Sequence, residues 1–239
     1  YNWAISSVAE GSYTVTVTGT DLAGNTYAGT DSITLTVDNT APTATLSDND
    51  ADNLLSATDS VTITAVFNES MSATPTVLIS GTSISGVMTQ ISGTNSYTFN
   101  WDLSGSSLND GTYTATVSGT DLASNPYSGT ESITFTLDTT APTVTLTDTD
   151  SDNFLNVSQV VTITAGFSEA MTSTPTISIT GIVTNVIMTP VSGTNSYTYA
   201  WDTSSGTLSD GAYFATVSGT DLIGNSYVAG TQSITFTLD

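Results

Sequence analysis

One run of residues recurs nearly three times: TGTDLAGNTYAGTDSITLTVDNTAP at Thr18–Pro42, SGTDLASNPYSGTESITFTLDTTAP at Ser118–Pro142, and a counterpart from Ser218 to Asp239. Equivalent residues keep their offset: Asp21, Asp121 and Asp221; Trp3, Trp101 and Trp201; Asp38, Asp138 and Asp239. A period of about 100 residues restricts the fold to a unit that closes its own core within that length. The repeat predicts two whole units, residues 39–138 and 139–239, after the C-terminal part (residues 1–38) of an incomplete one. Tyr1-Asn2-Trp3 aligns with Tyr199-Ala200-Trp201, so the chain is expected to begin inside a strand, as an excerpt of a longer array. A unit cut there would bury too little apolar surface to stand alone.

Within each whole unit, β-branched or aromatic residues alternate with threonine in seven short stretches, the period of a half-buried strand. In the last unit these span about residues 142–147, 160–167, 176–180, 184–189, 196–202, 211–219 and 233–238. The alternation turns Val144, Leu146, Val161, Ile163, Ala165, Phe167, Tyr197, Tyr199 and Trp201 inward. Later in the unit, Tyr213, Ala215, Val217, Ile234, Phe236 and Leu238 follow the same rule. No stretch has a helical period. The pattern predicts an all-β fold of tandem immunoglobulin-like seven-stranded antiparallel β-sandwiches. Asp110-Gly111-Thr112-Tyr113 and Asp210-Gly211-Ala212-Tyr213 sit where a tyrosine corner would open the sixth strand. There is no cysteine pair, and tryptophan falls on the fifth strand rather than the third, which sets antibody-type domains aside.

Charge narrows the function classes. The chain has 22 acidic residues, no Lys, Arg or His, and a net charge of −22. It therefore has no side-chain cation with which to form a salt bridge. Direct nucleic-acid binding needs Lys or Arg, and so does attraction to anionic lipid. Base, nucleophile and oxyanion chemistry lose their usual side chains as well, and the reading is not an enzyme. A carboxylate pair could hydrolyse glycosides, but acids that recur at repeat positions favour structure over one active site. No Cys is present, so stability comes from packing and metal.

Three motifs carry a family resemblance: DNTAP/DTTAP at the unit joint, GTDLAGN/GTDLASN/GTDLIGN in the last loop, and Asn68-Glu69-Ser70-Met71 with Ser168-Glu169-Ala170-Met171. The chain resembles the bacterial Ig-like tandem repeats of giant cell-surface adhesins, and most of all the gliding-motility adhesin repeats of type 9 secreting bacteria. That likeness implies a secreted, extracellular, cell-surface protein in cell adhesion or gliding. It also implies Ca²⁺ near the joints, contact with a surface polysaccharide or solid surface through other parts of the chain, and handling by secretion or gliding machinery. In such bacteria Asp-Ser/Thr-apolar triplets are O-glycosylation sites, which marks Ser32 and Ser60.

The acids themselves point the same way. Sandwich topology gathers the joint's lower side from Asp138, the loop Asp48-Asn49-Asp50-Ala51-Asp52-Asn53, Asp102 and Asp110, and its upper side from Glu169, Asp221 and Asn225. Carboxylates crowded in a low-dielectric crevice repel one another, and Ca²⁺, taking six to eight hard oxygens, relieves this. Asp48, Asp50, Asp52 and Asn53, repeated as Asp148, Asp150, Asp152 and Asn153, space oxygens as a Ca²⁺ loop does. They lack the EF-hand glycine and its terminal glutamate. Asp121, Asn125, Asp138, Asp221, Asn225 and Glu169 are the candidate joint ligands. Against this, a lone turn Asp is usually a local hydrogen-bond acceptor, and Asp31, Asp59 and Glu131 are read as solvated residues. The function expected is a Ca²⁺-stiffened adhesin stalk. Its alternatives are a carbohydrate-binding module array, which needs exposed aromatic rings, and a passive surface filament or surface-layer subunit.

Overall fold

The computed structural model describes residues 2–205, 208–228 and 230–239, which contain strands, turns and bends and no helix. Tyr1, and with it the alignment of Tyr1 on Tyr199, lies outside the described residues. Packing divides the chain into two compact units, residues 1–51, 60–102 and 113–135 in one and residues 52–59, 103–112 and 136–239 in the other.

The strands follow the alternation. At the N-terminal end β1 (Gly11–Thr16) pairs antiparallel with β2 (Ser32–Val37), Gly11 opposite Val37. Next come β3 (Ala44–Asp48), β4 (Leu54–Leu55), β5 (Ser60–Phe67), β6 (Thr76–Ile79), β7 (Ser85–Val87), β8 (Thr89–Gln90), β9 (Ser96–Asp102), β10 (Gly111–Ser118) and β11 (Ser132–Leu137). They form two sheets of order β3-β5-β9-β8 and β4-β11-β10-β6-β7. The same order returns in β12 (Val144–Asp148), β13 (Phe154–Leu155), β14 (Val160–Phe167), β15 (Thr176–Ile179), β16 (Val183–Ile187), β17 (Thr189–Pro190), β18 (Ser196–Asp202), β19 (Gly211–Ser218) and β20 (Ile234–Leu238). Here the sheets are β12-β14-β18-β17 and β13-β20-β19-β15-β16.

Three features differ from the sequence expectation. The fourth stretch, residues 184–189, is divided between β16 and β17 in different sheets, and with β13 added the repeat has nine strands rather than seven. The two-residue strands β4 and β13 pair in parallel, Leu55 beside Leu137 and Leu155 beside Leu238. A stretch that short has no periodicity to read. Residues 2–5 form no strand either, because β9 and β18 are held by β5 and β14, and residues 2–5 have no such partner among the described residues.

Why the sheets close is plainest in the last repeat. Val161, Ile163, Ala165 and Phe167 of β14 and Ala215 and Val217 of β19 are buried, as are Ile234, Phe236 and Leu238 of β20. Trp201, at 2% exposure, meets Tyr213 and Phe236 edge-on, each with ring centroids 5.6 Å apart. Phe167 meets Tyr197 at 5.9 Å and Tyr227 at 6.0 Å in the same way. Each such pair adds about 0.5–1.5 kcal/mol beyond area burial. Trp201, Phe167 and Phe236 are thus core; Tyr197 and Tyr199 pack against it from the margin, half-buried, and Phe154 and Phe214 are exposed. Thr203, fully buried, is satisfied: it accepts from the Gln159 N–H at 2.9 Å and donates to the Asn156 carbonyl at 2.7 Å, whereas Trp101 Nε1 and the Tyr127 hydroxyl are buried without a partner among the described residues.

One loop residue is strained. Ser124 has φ 75°, where the equivalent positions hold Gly24 at 85° and Gly224 at 103°. A side chain in this left-handed region costs about 1–2 kcal/mol, partly offset by glycine's greater freedom when unfolded. Ser124→Gly is therefore expected to stabilise the protein by about 0.5–1 kcal/mol in denaturant titration, and a loss of stability would contradict the assignment.

Candidate metal centre

The GTDL loop is built to hold a buried aspartate. In the last copy Asp221 Oδ1 accepts the N–H groups of Ile223 at 2.9 Å, Gly224 at 2.7 Å and Asn225 at 2.8 Å, and Oδ2 accepts Asn225 Nδ2 at 2.9 Å. In the middle copy Asp121 accepts from Asn125 N at 2.8 Å and from Asn125 Nδ2 at 2.9 Å. Their exposures are 1% and 0%, so these amides replace water's hydrogen bonds to the charge. The glycine that opens the motif has a packing reason. A Cβ on Gly119 would stand 2.8 Å from the Met71 terminal methyl, and one on Gly219 would stand 2.7 Å from that of Met171. Met71 and Met171 in turn bridge backbone to Asp121 and Asp221.

Two further acids arrive from elsewhere. Asp138 follows β11 and Glu169 follows β14; with Asp221 they place a carboxylate oxygen each within 4.8 Å of one another. Asp38, Glu69 and Asp121 do the same. Each group lies wholly within one of the two packing units. Among the described residues these are the two places where three acids converge. The repeat would have supplied Asp38 and Glu69, which local spacing does not single out.

Asp138 Oδ1 also accepts the Thr140 N–H at 2.9 Å, and Asp38 Oδ1 that of Thr40 at 3.0 Å, which sets the start of each connector. Asp110 fastens the same stretch: it accepts the Thr139 N–H and hydroxyl, both at 2.7 Å, and the Thr140 hydroxyl. Glu10 does likewise for Asn39 and Thr40. Asn225 Nδ2 reaches the Asp138 carbonyl at 3.0 Å and Asn125 Nδ2 the Asp38 carbonyl at 3.2 Å, so both asparagines enter the sites as donors.

The Asp-x-Asp loops are arranged differently. Asp50 N–H bonds Asp48 Oδ1 at 2.9 Å, and Leu54 N–H bonds Asp52 Oδ1 at 3.2 Å. In the second copy Asp150 N–H bonds Asp148 Oδ1 at 2.8 Å, Asp152 N–H bonds Asp150 Oδ2 at 3.3 Å, and Phe154 N–H bonds Asp152 Oδ1 at 3.1 Å. Asn53 and Asn153 close these turns in left-handed conformations, φ 59° and 61°. The carboxylates cap successive amides, and neither converging group includes them. Asp59 is half-buried and caps the Ser56 N–H at 2.7 Å, so it is more than a solvated acid.

The electrostatics separate two kinds of acid. Burial would raise the Asp121 carboxyl, but the hydrogen bonds from Asn125, Ala123 and Ser124 outweigh it and hold it below its ordinary value. Asp110 is lowered by the hydroxyls of Thr140 and Thr139. Glu169 goes up, through desolvation first and then the charges of Asp138 and Asp221. Glu69 goes up by desolvation, with Asp38, Asp121 and Glu10 adding repulsion. An all-oxygen, all-anionic donor set of this kind fits a hard divalent cation and offers no soft nitrogen or sulfur ligand. Asp38, Glu69 and Asp121, or Asp138, Glu169 and Asp221, would hold it.

Two packed sheets with this strand order define an immunoglobulin-like class of protein. The chain belongs to the bacterial Ig-like domain (group 3) family, whose profile matches residues 1–126 and 95–238. No curated protein matches it in sequence. Among solved structures, part of a 1.5-MDa bacterial ice-binding adhesin is similar over 93% of this chain and 72% of that one, at 22% identity and TM-score 0.50. A titin fragment is similar at 15% identity and TM-score 0.30, over 83% of this chain and 65% of that one. A surface-layer protein fragment is similar at 14% and 0.26, over 97% of this chain and 43% of that one. No helix among the described residues is long and apolar enough to cross a membrane.

The shifts set the pH response in chelator. Glu69 and Glu169 bind a proton more tightly folded than unfolded, so their repulsion acts above their folded values and is relieved as pH falls through them, above 4.5. Asp21, Asp110, Asp121 and Asp202 have the opposite sign: their stabilisation is present above 3.8 and is lost as pH falls through their lowered folded values. Tm measured against pH is expected to rise from neutral toward mild acid and then to fall; a monotonic decline from pH 7 would refute the glutamate assignment.

Proposed function

We propose that the chain is a stretch of an extracellular adhesin stalk whose repeats are stiffened at their connectors by Ca²⁺. The observation that supports this reading is the meeting of three carboxylates at each connector, in a chain with no basic side chain to neutralise them. Asp38 and Asp138 belong to the end of one repeat, while Glu69, Asp121, Glu169 and Asp221 belong to the loops of the next. A cation that draws these acids together favours one orientation of the connector over the many that mutual repulsion permits. Function then comes from reach and stiffness.

Binding to a surface polysaccharide or solid surface is assigned to other parts of the protein, and gliding on a surface is the setting proposed for it. A carbohydrate-binding array is the second reading: Trp101 and Trp201 are each 2% exposed and offer no ring for a sugar to stack on, while Phe154 and Phe214 are exposed.

Ca²⁺ titration of the whole chain is expected to raise Tm and to change the radius of gyration in X-ray scattering. A saturated site contributes about 2.7 kcal/mol at a hundredfold excess over its Kd. Glu69→Gln with Glu169→Gln, which keeps the shape and removes one charge from each group, is expected to abolish most of that increment. Identical melting and scattering with Ca²⁺ and with chelator would sink the proposal.

A further inference from the structure

The geometry points to Asn125 and Asn225 as positioning residues that hold each carboxylate group in register by donation, rather than as ligands of the cation; this deepens the proposed site and rests on that reading only for its metal arm. Each asparagine spends its amide N–H groups on two acceptors from different segments. Asn225 Nδ2 bonds Asp221 Oδ2 at 2.9 Å and the Asp138 carbonyl at 3.0 Å. Asn125 Nδ2 bonds Asp121 Oδ2 at 2.9 Å and the Asp38 carbonyl at 3.2 Å. An amide NH₂ has two donors, and here both are used.

The N-terminal copy separates the two tasks. There Asn25 Nδ2 bonds Asp21 Oδ2 at 2.9 Å, its N–H bonds Asp21 Oδ1 at 2.8 Å, and Ala23 N–H bonds the same oxygen at 2.9 Å. The loop thus folds around its aspartate without any reach to another segment. Asn125 and Asn225 also make a second donation, to the carbonyl ending the preceding strand. It is long-range, spanning 87 residues in each case, and it ties Asp38 or Asp138 to the loop carrying Asp121 or Asp221. Two of the three acids in each group are therefore held at fixed separation by one amide. The glutamate is the acid left without an equivalent tether.

A donor and a ligand respond oppositely to the loss of the amide proton. The Asn125→Asp, Asn225→Asp double variant puts a carboxylate where the NH₂ group now faces Asp221 Oδ2 and the Asp138 carbonyl. If the asparagine oxygen ligated the cation, the added charge would tighten Ca²⁺ binding. A positioning donor predicts the reverse: calorimetric Ca²⁺ affinity is expected to fall about tenfold. Asn→Gln, which restores a donor on a longer stem, is expected to recover part of it. A tighter Kd in the aspartate variant would overturn the inference.

The second readout needs no metal. In chelator, hydrogen exchange at residues 139–143 is expected to speed up in the Asn125→Ala, Asn225→Ala variant relative to wild type, and unchanged exchange there would equally overturn the inference. Should wild type show no Ca²⁺ response, the Ca²⁺ reading fails, and the exchange comparison alone still decides the asparagine's role.

Discussion

A negative charge taken out of water must be met by something, and this chain has no positive side chain to meet it with. That constraint runs through every connector and loop. Where backbone amides and threonine hydroxyls suffice, the acid is absorbed into the fold. Asp221 collects three backbone N–H groups and a side-chain amide, and Asp110 collects one N–H and two hydroxyls. At the buried Asp221, charge-assisted hydrogen bonds of this kind replace those that the carboxylate loses with water. The abundance of Thr, Ser, Asn and Gly beside the acids is thus part of the electrostatics and more than turn chemistry alone.

Glu69 and Glu169 stand outside this economy of dipoles, unlike Glu10, which accepts from Asn39 and Thr40. Glu169 has only the Ser168 hydroxyl, at 3.4 Å, to set against desolvation and two neighbouring aspartates. The distinction between compensated aspartates and a poorly compensated glutamate is what sets the cluster apart from one more capped loop. Acidity alone does not create it. The Asp148–Asp152 loop is as rich in carboxylates, yet its oxygens are engaged with the amides of Asp150, Asp152 and Phe154.

Strands were legible where the alternation is long and one-sided. Residues 160–167 and 196–202 read as strands and are strands to the residue, because Val161, Ile163 and Trp201 face a core while the threonines between them do not. Local spacing fails at the acids for a physical reason: an Asp at i, i+2 and i+4 satisfies a turn's amides as naturally as it coordinates a metal. The converging groups instead draw on residues more than thirty positions apart in each case, as with Asp138, Glu169 and Asp221. Sandwich topology brought those three together on paper; it did not reveal that the asparagines face inward with their donors.

The packing of the motif glycine links the core to these sites. Gly119 and Gly219 give room to the methyls of Met71 and Met171, which sit two residues beyond Glu69 and Glu169 and bridge to the backbone of Asp121 and Asp221. The glutamate-bearing loop and the aspartate-bearing loop are therefore joined by close packing on one side, while the strand-end aspartate is joined to the latter through the asparagine. A larger residue at the glycine would push the glutamate away from its partners without touching any carboxylate. The placement of each acid is thus a consequence of sandwich packing, and the same small residue that lets the loops close also brings the unneutralised charges face to face.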